Sequence, residues 1–314
     1  MRAYFLQSAG NEMNLELREV PVPQPGPGEL LVKIRASSLN RGELITGHGL
    51  VAPGAAKAGG QEAAGEVEGT GERVMGRCPG GFAEYGLIAK SDAMPVPPNL
   101  AWEEAGAIPL AFMVVHDMLV EQGSLRPGEW LLVTGVSSGV GVAALQAAKA
   151  MGARVIGTSG SVEKLDKLKA LGLDLGIRTR KPDFHDAVMQ ATGGKGVDLV
   201  VNNVGGSLFA ECISVLAYQG RLATVGYLDR VTKAELDIDA LHAKRLRLFG
   251  VSNKQRTAEQ RAATVRGVIA DFLPYFASGR IKPLIDRVYR FDELPAAKAH
   301  MESDAHLGKV AIKM

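Results

Sequence analysis

The run Thr134–Gly141, TGVSSGVG, is the stretch whose residue types and spacing most plainly serve a ligand. Gly135, Gly139 and Gly141 carry no side chains that would block an approaching diphosphate, and Ser138 and Val140 lie between them. The run follows an apolar stretch, WLLVT, and opens an Ala-rich segment that reads as a helix. A helix starting there offers unpaired N–H groups and the positive end of a dipole. Strand, glycine turn and helix together make the frame of a dinucleotide-binding unit.

The end of the next strand selects the dinucleotide. An NAD site places Asp or Glu about 20 residues past the first glycine, to hold the ribose 2′-OH. Here residues 157–164 read GTSGSVEK, and no acid precedes Glu163. Thr158, Ser159 and Ser161 offer hydroxyls, and Lys164 brings a cation. A 2′-phosphate suits such a site, so NADP(H) is the expected cofactor.

Metal chemistry has little to work with. The two cysteines, Cys78 and Cys212, form no CxxC pair, and His48, His116, His185, His242, His300 and His306 show no ligand spacing. No metal is expected. His300 and His306 read as surface or helix residues. So few cysteines suit a reduced compartment.

Behind these residues stand the elements that must position them. The chain has 314 residues, enough for two domains at roughly 100–200 residues each. Apolar residues make up 46% and charged residues 22%, an ordinary globular balance. Lys and Arg number 36 against 34 Asp and Glu, with no long basic run, which argues against a nucleic-acid partner. The most apolar stretch, near residues 105–120, is broken by Pro109, His116 and Asp117, and no membrane span is expected. The N-terminus lacks the apolar core of a signal peptide. A soluble cytoplasmic protein, acting as a homodimer, is expected.

Up to about residue 120 the pattern is short strands between Pro- and Gly-rich turns: Arg2–Gln7, Leu30–Ser37, Ala64–Glu68, Arg73–Arg77 and Phe82–Ala89. A helix over Leu100–Gln122, interrupted at Pro109, follows. Strands and helices then alternate. The strands are Glu129–Thr134, Arg154–Thr158, Gly176–Thr179, Val197–Asn202, Arg221–Val225 and Arg247–Val251. The helices are Val140–Met151, Val162–Leu171, Asp183–Ala191 and Leu208–Tyr218. Near-continuous apolar strands alternating with helices imply a parallel sheet covered on both faces. A long helix over Ala258–Ser278, a strand at Leu284–Tyr289, a helix at Pro295–Glu302 and a strand at Gly308–Lys313 close the chain.

Taken alone, TGVSSGVG resembles the TGxxxGxG of short-chain dehydrogenases. That family opens with its loop and needs a Tyr-xxx-Lys pair. Here a long segment precedes the loop, and no Tyr has Lys four positions on. The chain is instead similar, nearly end to end, to the medium-chain dehydrogenase/reductase superfamily, and within it to the zinc-free quinone oxidoreductase branch. The matching pieces are PGPGELLVKIRASSLNRGEL, GQEAAGEV, VSSGVGVAALQAAKAMGARVIGTSGSVEKLDKLKALG, DLVVNNVGG and FDELPAAKAHMESDAHLGKVAIKM, in that order. The segment between GQEAAGEV and GERVMG is shorter than is usual there. Asn202 stands where Asp is common. Zinc-dependent members place Cys and His where this chain has Asn40, Arg41 and Gln61.

The resemblance implies an α/β fold: a Rossmann-type doubly wound parallel sheet plus a GroES-like, mainly β catalytic domain. It assigns residues 119–256 to the first and residues 1–118 with 257–314 to the second. It places the cofactor along the cleft between them. Asn40 and its neighbours through Leu44 would lie by the nicotinamide, with Asn40 and Arg41 as the catalytic candidates. Gly135, Ser138, Gly139, Val140 and Gly141 would cradle the diphosphate. Ser159, Gly160, Ser161 and Lys164 would hold the 2′-phosphate, with Thr179 and Asn203 on the adenosine side. Val225, Gly226, Tyr227, Phe249, Gly250 and Val251 would line the nicotinamide pocket. The implied activity is NADPH-dependent hydride transfer to a quinone or an α,β-unsaturated carbonyl. Enoyl-thioester reduction, or NADPH binding without catalysis in a crystallin- or sensor-like protein, stay open as alternatives.

Overall fold

The computed structural model describes residues 1–9, 12–44 and 56–314. Strands and helices are numbered along the chain. Alternating apolar side chains build the N-terminal strands. β1 (Arg2–Ala9) pairs antiparallel with β2 (Glu12–Glu19), and β4 (Ala56–Ala58) takes its other edge. A seven-stranded sheet runs β15 (Ile285–Arg290), β16 (Lys309–Lys313), β3 (Glu29–Ser38), β5 (Glu62–Val67), β6 (Arg73–Arg77) and β8 (Ala93–Pro95), with β7 (Tyr85–Ala89) on β3. β3 organises this sheet. Val32–Ser37 pairs with β5, while its start pairs with β7 and its end with β16. Val32, Ile34, Ala63, Val74 and Ile88 form the core there.

The helices that go with these strands are α1 (Arg41–Leu44), α2 (Trp102–Ala105), α9 (Ala258–Asp271), α10 (Leu273–Ala277) and α11 (Leu294–Glu302). Met1–Ala111 and Ala258–Met314 form one compact unit, and Phe112–Thr257 the other. The chain passes from one to the other within α3 (Pro109–His116), which continues as a π-helical turn at Asp117–Glu121.

In the second unit six strands run parallel: β9 (Trp130–Thr134), β10 (Arg154–Ser159), β11 (Leu175–Arg178), β12 (Val197–Asn202), β13 (Leu216–Thr224) and β14 (Arg247–Gly250). Their order is β11-β10-β9-β12-β13-β14. Counted within the unit this is 3-2-1-4-5-6, so the winding reverses between β9 and β12. Leu131, Leu132, Val133, Val155, Ile156 and Leu199–Val201 are all solvent-free, which a parallel sheet with helices on both faces requires. The connections carry α4 (Gly139–Ala150), α5 (Val162–Lys169), α6 (His185–Ala191), α7 (Phe209–Ser214) and α8 (Ile238–Ala243). No described helix is long and apolar enough to cross a membrane.

Several elements differ from their sequence reading. The helix expected over Leu208–Tyr218 ends at Ser214. Leu216 instead joins the sheet opposite Val197, and Gln219 at φ 59° turns the strand. The helix expected over Ala258–Ser278 breaks at Phe272, because Pro274 has no N–H to continue the ladder. Leu100–Gln122 divides into α2, α3 and the π turn. At Gly106, between the first two, an added Cβ would lie 3.0 Å from the Ala36 carbonyl. The strand expected from Phe82 starts at Tyr85, while Phe82 is a solvent-free core residue. β2, β4, β8, α1 and α8 have no counterpart among the elements expected from the sequence. His306 is neither surface nor helical. It is buried in the turn before β16.

Candidate functional site

The parallel register brings the strand ends of the second unit into line. Asn202 of β12 lies opposite Thr134 of β9 and Thr224 of β13, and Thr224 opposite Gly250 of β14. In doubly wound sheets ligands sit at these C-terminal ends, at the reversal point. A groove of about 610 Å³ lined by Trp130, Arg154, Lys195 and Asp198 lies at the opposite ends of the strands.

The glycine turn is built by its own residues. Gly135 sits at φ 64°, a conformation that suits glycine. Ser138 caps α4, its Oγ accepting the Gly141 N–H at 3.1 Å and donating to the Gly135 carbonyl at 2.9 Å. Gly141 is buried, and a Cβ there would lie 2.6 Å from the Gly135 carbonyl oxygen. Ser138 and Gly141 therefore shape the turn and let the helix approach it. The N–H groups of Gly139 and Val140, in the first turn of α4, have no partners within the helix.

The end of β10 continues the same surface. The Ser159 Oγ lies 3.2 Å from the Ser137 Oγ, and the Thr158 Oγ1 accepts the Gly135 N–H at 3.2 Å. Ser161 caps α5 by accepting the Lys164 N–H at 3.3 Å. Lys164 thus stands in the first turn of a helix, where the dipole disfavours a cation unless an anion joins it. A second cation comes from outside this segment. The Arg180 guanidinium lies across Gly160, its Nε in the space that a Cβ on that residue would need. The pairing of Ser159 with Arg178 puts Arg180 there. The sequence reading missed it, because its signal depends on the register between β10 and β11. Thr179 is engaged locally: its Oγ1 donates to Asp183 and accepts the Lys181 N–H at 2.9 Å.

Two asparagines fasten the reversal point. The Asn202 Oδ1 accepts from the Thr134 hydroxyl and the N–H groups of Val204 and Gly205, each at 3.1 Å, while its Nδ2 donates to the Gly205 carbonyl at 2.9 Å. A carboxylate could accept here but not donate, which explains Asn at this position. Asn203 is buried and bridges back to Thr134, N to Oγ1 at 3.1 Å and Nδ2 to O at 3.0 Å. Val225 and Val251 donate N–H bonds to the Asn202 and Thr224 carbonyls, both at 3.0 Å. Gly226, Tyr227, Phe249 and Gly250 are the partly or well exposed residues beside them.

In the first unit, Asn40 is the hub of a buried polar cluster. Its Nδ2 donates to the Glu62 Oε1 at 2.9 Å, and its Oδ1 accepts from the Lys309 Nζ at 2.8 Å, which fixes the orientation of the amide. Its N–H donates to the Glu43 Oε1 at 2.8 Å. Glu62 is solvent-free and also accepts from the Ser38 Oγ at 2.6 Å, the Lys309 Nζ at 2.9 Å and the Leu110 N–H at 2.8 Å. Among the described residues the second Asn40 amide hydrogen has only long contacts, 3.5 Å to the Ser38 carbonyl and to Glu43. Arg41 points elsewhere. Its guanidinium donates to the Met301 carbonyl at 2.8 Å, at the end of α11, and pairs with Asp304. Leu44 is a core residue of the cluster around Tyr4 and Phe82. Glu43, Glu62 and Lys309 were not singled out in the sequence.

The positions that bear zinc ligands in zinc-dependent relatives hold an amide (Asn40), a guanidinium already paired (Arg41) and a second amide (Gln61). This donor set does not fit zinc. Among the described residues no group of three or more His, Cys, Asp or Glu is placed to hold a metal ion. Cys78 and Cys212 are buried, and burial pushes the Cys78 thiol up to about 12 and Cys212 up as well. The glycine turn and the basic end of β10, in contrast, suit a phosphorylated dinucleotide.

A family described as zinc-binding dehydrogenase matches residues 139–266, which include none of positions 40, 41 and 61. The chain is 31% identical over 312 residues to a phenolphthiocerol/phthiocerol polyketide synthase polypeptide of Mycobacterium tuberculosis, covering 96% of this chain but only 14% of that polypeptide. The fold matches the quinone oxidoreductase of Thermus thermophilus, solved also in complex with NADPH, at TM-score 0.87 and 29% identity over the full length of both chains. It matches an NAD-dependent alcohol dehydrogenase at TM-score 0.85 and 29% identity, again over both full lengths. The two units are the GroES-like and Rossmann domains of such enzymes. The chain belongs to the medium-chain dehydrogenase/reductase superfamily.

Proposed function

We propose that this protein is an oxidoreductase that uses NADPH to reduce a conjugated acceptor, a quinone or an α,β-unsaturated carbonyl, without zinc. The observation that carries the cofactor choice is the acid-free end of β10, where Lys164 and Arg180 flank Ser159–Ser161. When bound, NADPH supplies a hydride from its nicotinamide ring. The chain's own work is binding and charge placement. Gly139 and Val140 receive the diphosphate on their free N–H groups. Ser159, Gly160, Ser161, Lys164 and Arg180 hold the 2′-phosphate. Val225–Tyr227 and Phe249–Val251 take the nicotinamide end, and Thr179 and Asn203 shape the adenosine side.

Asn40 donates its second amide hydrogen to the oxygen that gains charge. Arg41, tied to α11, has no direct role in this reading. One amide is a weak substitute for a Lewis acid. It suffices when the acceptor spreads its own charge, as a hydroquinone anion or an enolate does and a saturated alkoxide does not. The T. thermophilus quinone oxidoreductase and its NADPH complex support this choice. Likeness to a polyketide synthase favours a second reading, reduction of an enoyl thioester, which is also a conjugated acceptor.

Calorimetric titration tests the cofactor assignment. NADPH should bind more tightly than NADH. Lys164→Ala and Arg180→Ala should each weaken NADPH roughly 10- to 150-fold, the worth of one charge-assisted contact, and leave NADH nearly unchanged. Equal losses for both cofactors would remove these residues from the phosphate site.

A further inference from the structure

Glu43 is 1% exposed, and its two carboxyl oxygens are treated unequally. Oε1 accepts the Asn40 N–H, whereas Oε2 is buried with no hydrogen-bond partner among the described residues. The nearest cation among the described residues cannot help. The Lys309 ammonium has three hydrogens, and all three are spent, on the Leu39 carbonyl at 3.1 Å, Asn40 Oδ1 at 2.8 Å and Glu62 Oε1 at 2.9 Å. The Ser38 hydroxyl is spent on Glu62. Among these neighbours the donor with a loosely held hydrogen is the Asn40 amide, 3.5 Å from both Glu43 Oε1 and the Ser38 carbonyl.

We propose that Glu43 is a positioning residue for Asn40. As a neutral acid it leaves the second Asn40 amide hydrogen free for the substrate oxygen, and as a carboxylate it draws that hydrogen to itself. The proposal rests on the reading of Asn40 as the donor to the acceptor. Burial sets the balance by pushing the Glu43 carboxyl up to about 7. The Glu62 charge adds to this, while the Asn40 hydrogen bonds and Lys309 oppose it. Among the described residues the other charged groups nearby are committed. Arg41, on the same helix, is held by Met301 and Asp304. On α11, which packs on α1, Lys298 pairs with Glu302 and His300 with Asp286.

Protein labelled with ¹⁵N-asparagine supplies a readout that needs no turnover, the Asn40 side-chain amide signal, assigned by its loss in Asn40→Ser. In the wild type this signal should move between about pH 5.5 and 8.5 with a midpoint near 7. In Glu43→Gln, which keeps a carbonyl for the Asn40 N–H and cannot ionise, it should stay still. With a quinone acceptor, wild-type kcat should fall above neutral pH, at the limit about tenfold per pH unit, with the KM for NADPH unchanged. Glu43→Gln should hold its kcat over the same range. A wild-type Asn40 signal that does not move overturns the proposal, even if Glu43→Gln fails to fold. So does a Glu43→Gln profile that falls like the wild type. If the signal moves as expected and no acceptor is turned over, the control of Asn40 by Glu43 is supported and the reduction reading fails.

Discussion

In the unfolded chain Glu43 titrates near its ordinary 4.5, and in the fold near 7. Between those values the folded state holds a proton that the unfolded state has lost. Stability therefore falls as pH rises from about 4.5 through about 7, and then levels off. A shift of that size corresponds to about 3 kcal/mol at most. Glu43→Gln removes it, so the variant's stability advantage over the wild type, from urea midpoints, should grow by up to about 3 kcal/mol between about pH 5 and pH 8. Parallel pH dependence in the two proteins would mean that Glu43 ionises normally. At this scale the sequence was most legible where chemistry is local. Ser159, Ser161 and Lys164 fall within six residues and could be read together. Arg180 reaches Gly160 only through the pairing of β10 with β11. Lys309 meets Glu62 across 247 residues of chain, and no local pattern announces that contact.

The glycine turn shows how an element's approach is set by one missing side chain. α4 can start where it does because Gly141 lets the backbone of Gly135–Val136 come against it. A methyl at Gly141 would meet the Gly135 carbonyl oxygen at 2.6 Å and Val136 at 2.8 Å, and backbone atoms cannot swing aside. Gly141→Ala should cost about 1–3 kcal/mol by urea denaturation, in the range of overpacked cores, and weaken NADPH and NADH alike. Unchanged stability would show that the turn has slack. Elements with a single strong period were readable. β6 and β12 fall where their apolar runs placed them, over Arg73–Arg77 and Val197–Asn202. Elements set by tertiary pairing were not. Leu216–Tyr218 continues a helical pattern, yet it joins the sheet because Leu216 has a strand partner in Val197. The break at Phe272 was written in Pro274 and is plain in hindsight.

Across the whole molecule the two units hold different candidate groups. The second, with strand order 3-2-1-4-5-6, presents the glycine turn and the basic end of β10 on one rim of its sheet. The first holds Asn40 in a cluster of Glu43, Glu62 and Lys309 where a metal centre would need thiolates or imidazoles. Alternation of strand and helix made the parallel sheet legible from the sequence. The seven-stranded sheet was legible only in pieces, because β15 and β16 join β3 from the far end of the chain. Dialysis against a strong chelator should leave both the thermal midpoint and NADPH binding unchanged. Stoichiometric zinc in the purified protein, or a lowered midpoint after chelation, would contradict the donor set at Asn40, Arg41 and Gln61.

The most direct test is NADPH oxidation measured side by side with a benzoquinone, a conjugated enone and cyclohexanone at equal concentration. In the proposed reading the Asn40 amide offers one hydrogen bond and no Lewis acid, so an acceptor whose charge stays on a single oxygen gains too little stabilisation. The expected result is steady turnover with the quinone or the enone and almost none with cyclohexanone. Cyclohexanone reduced as fast as the benzoquinone would contradict metal-free hydride transfer to a conjugated acceptor.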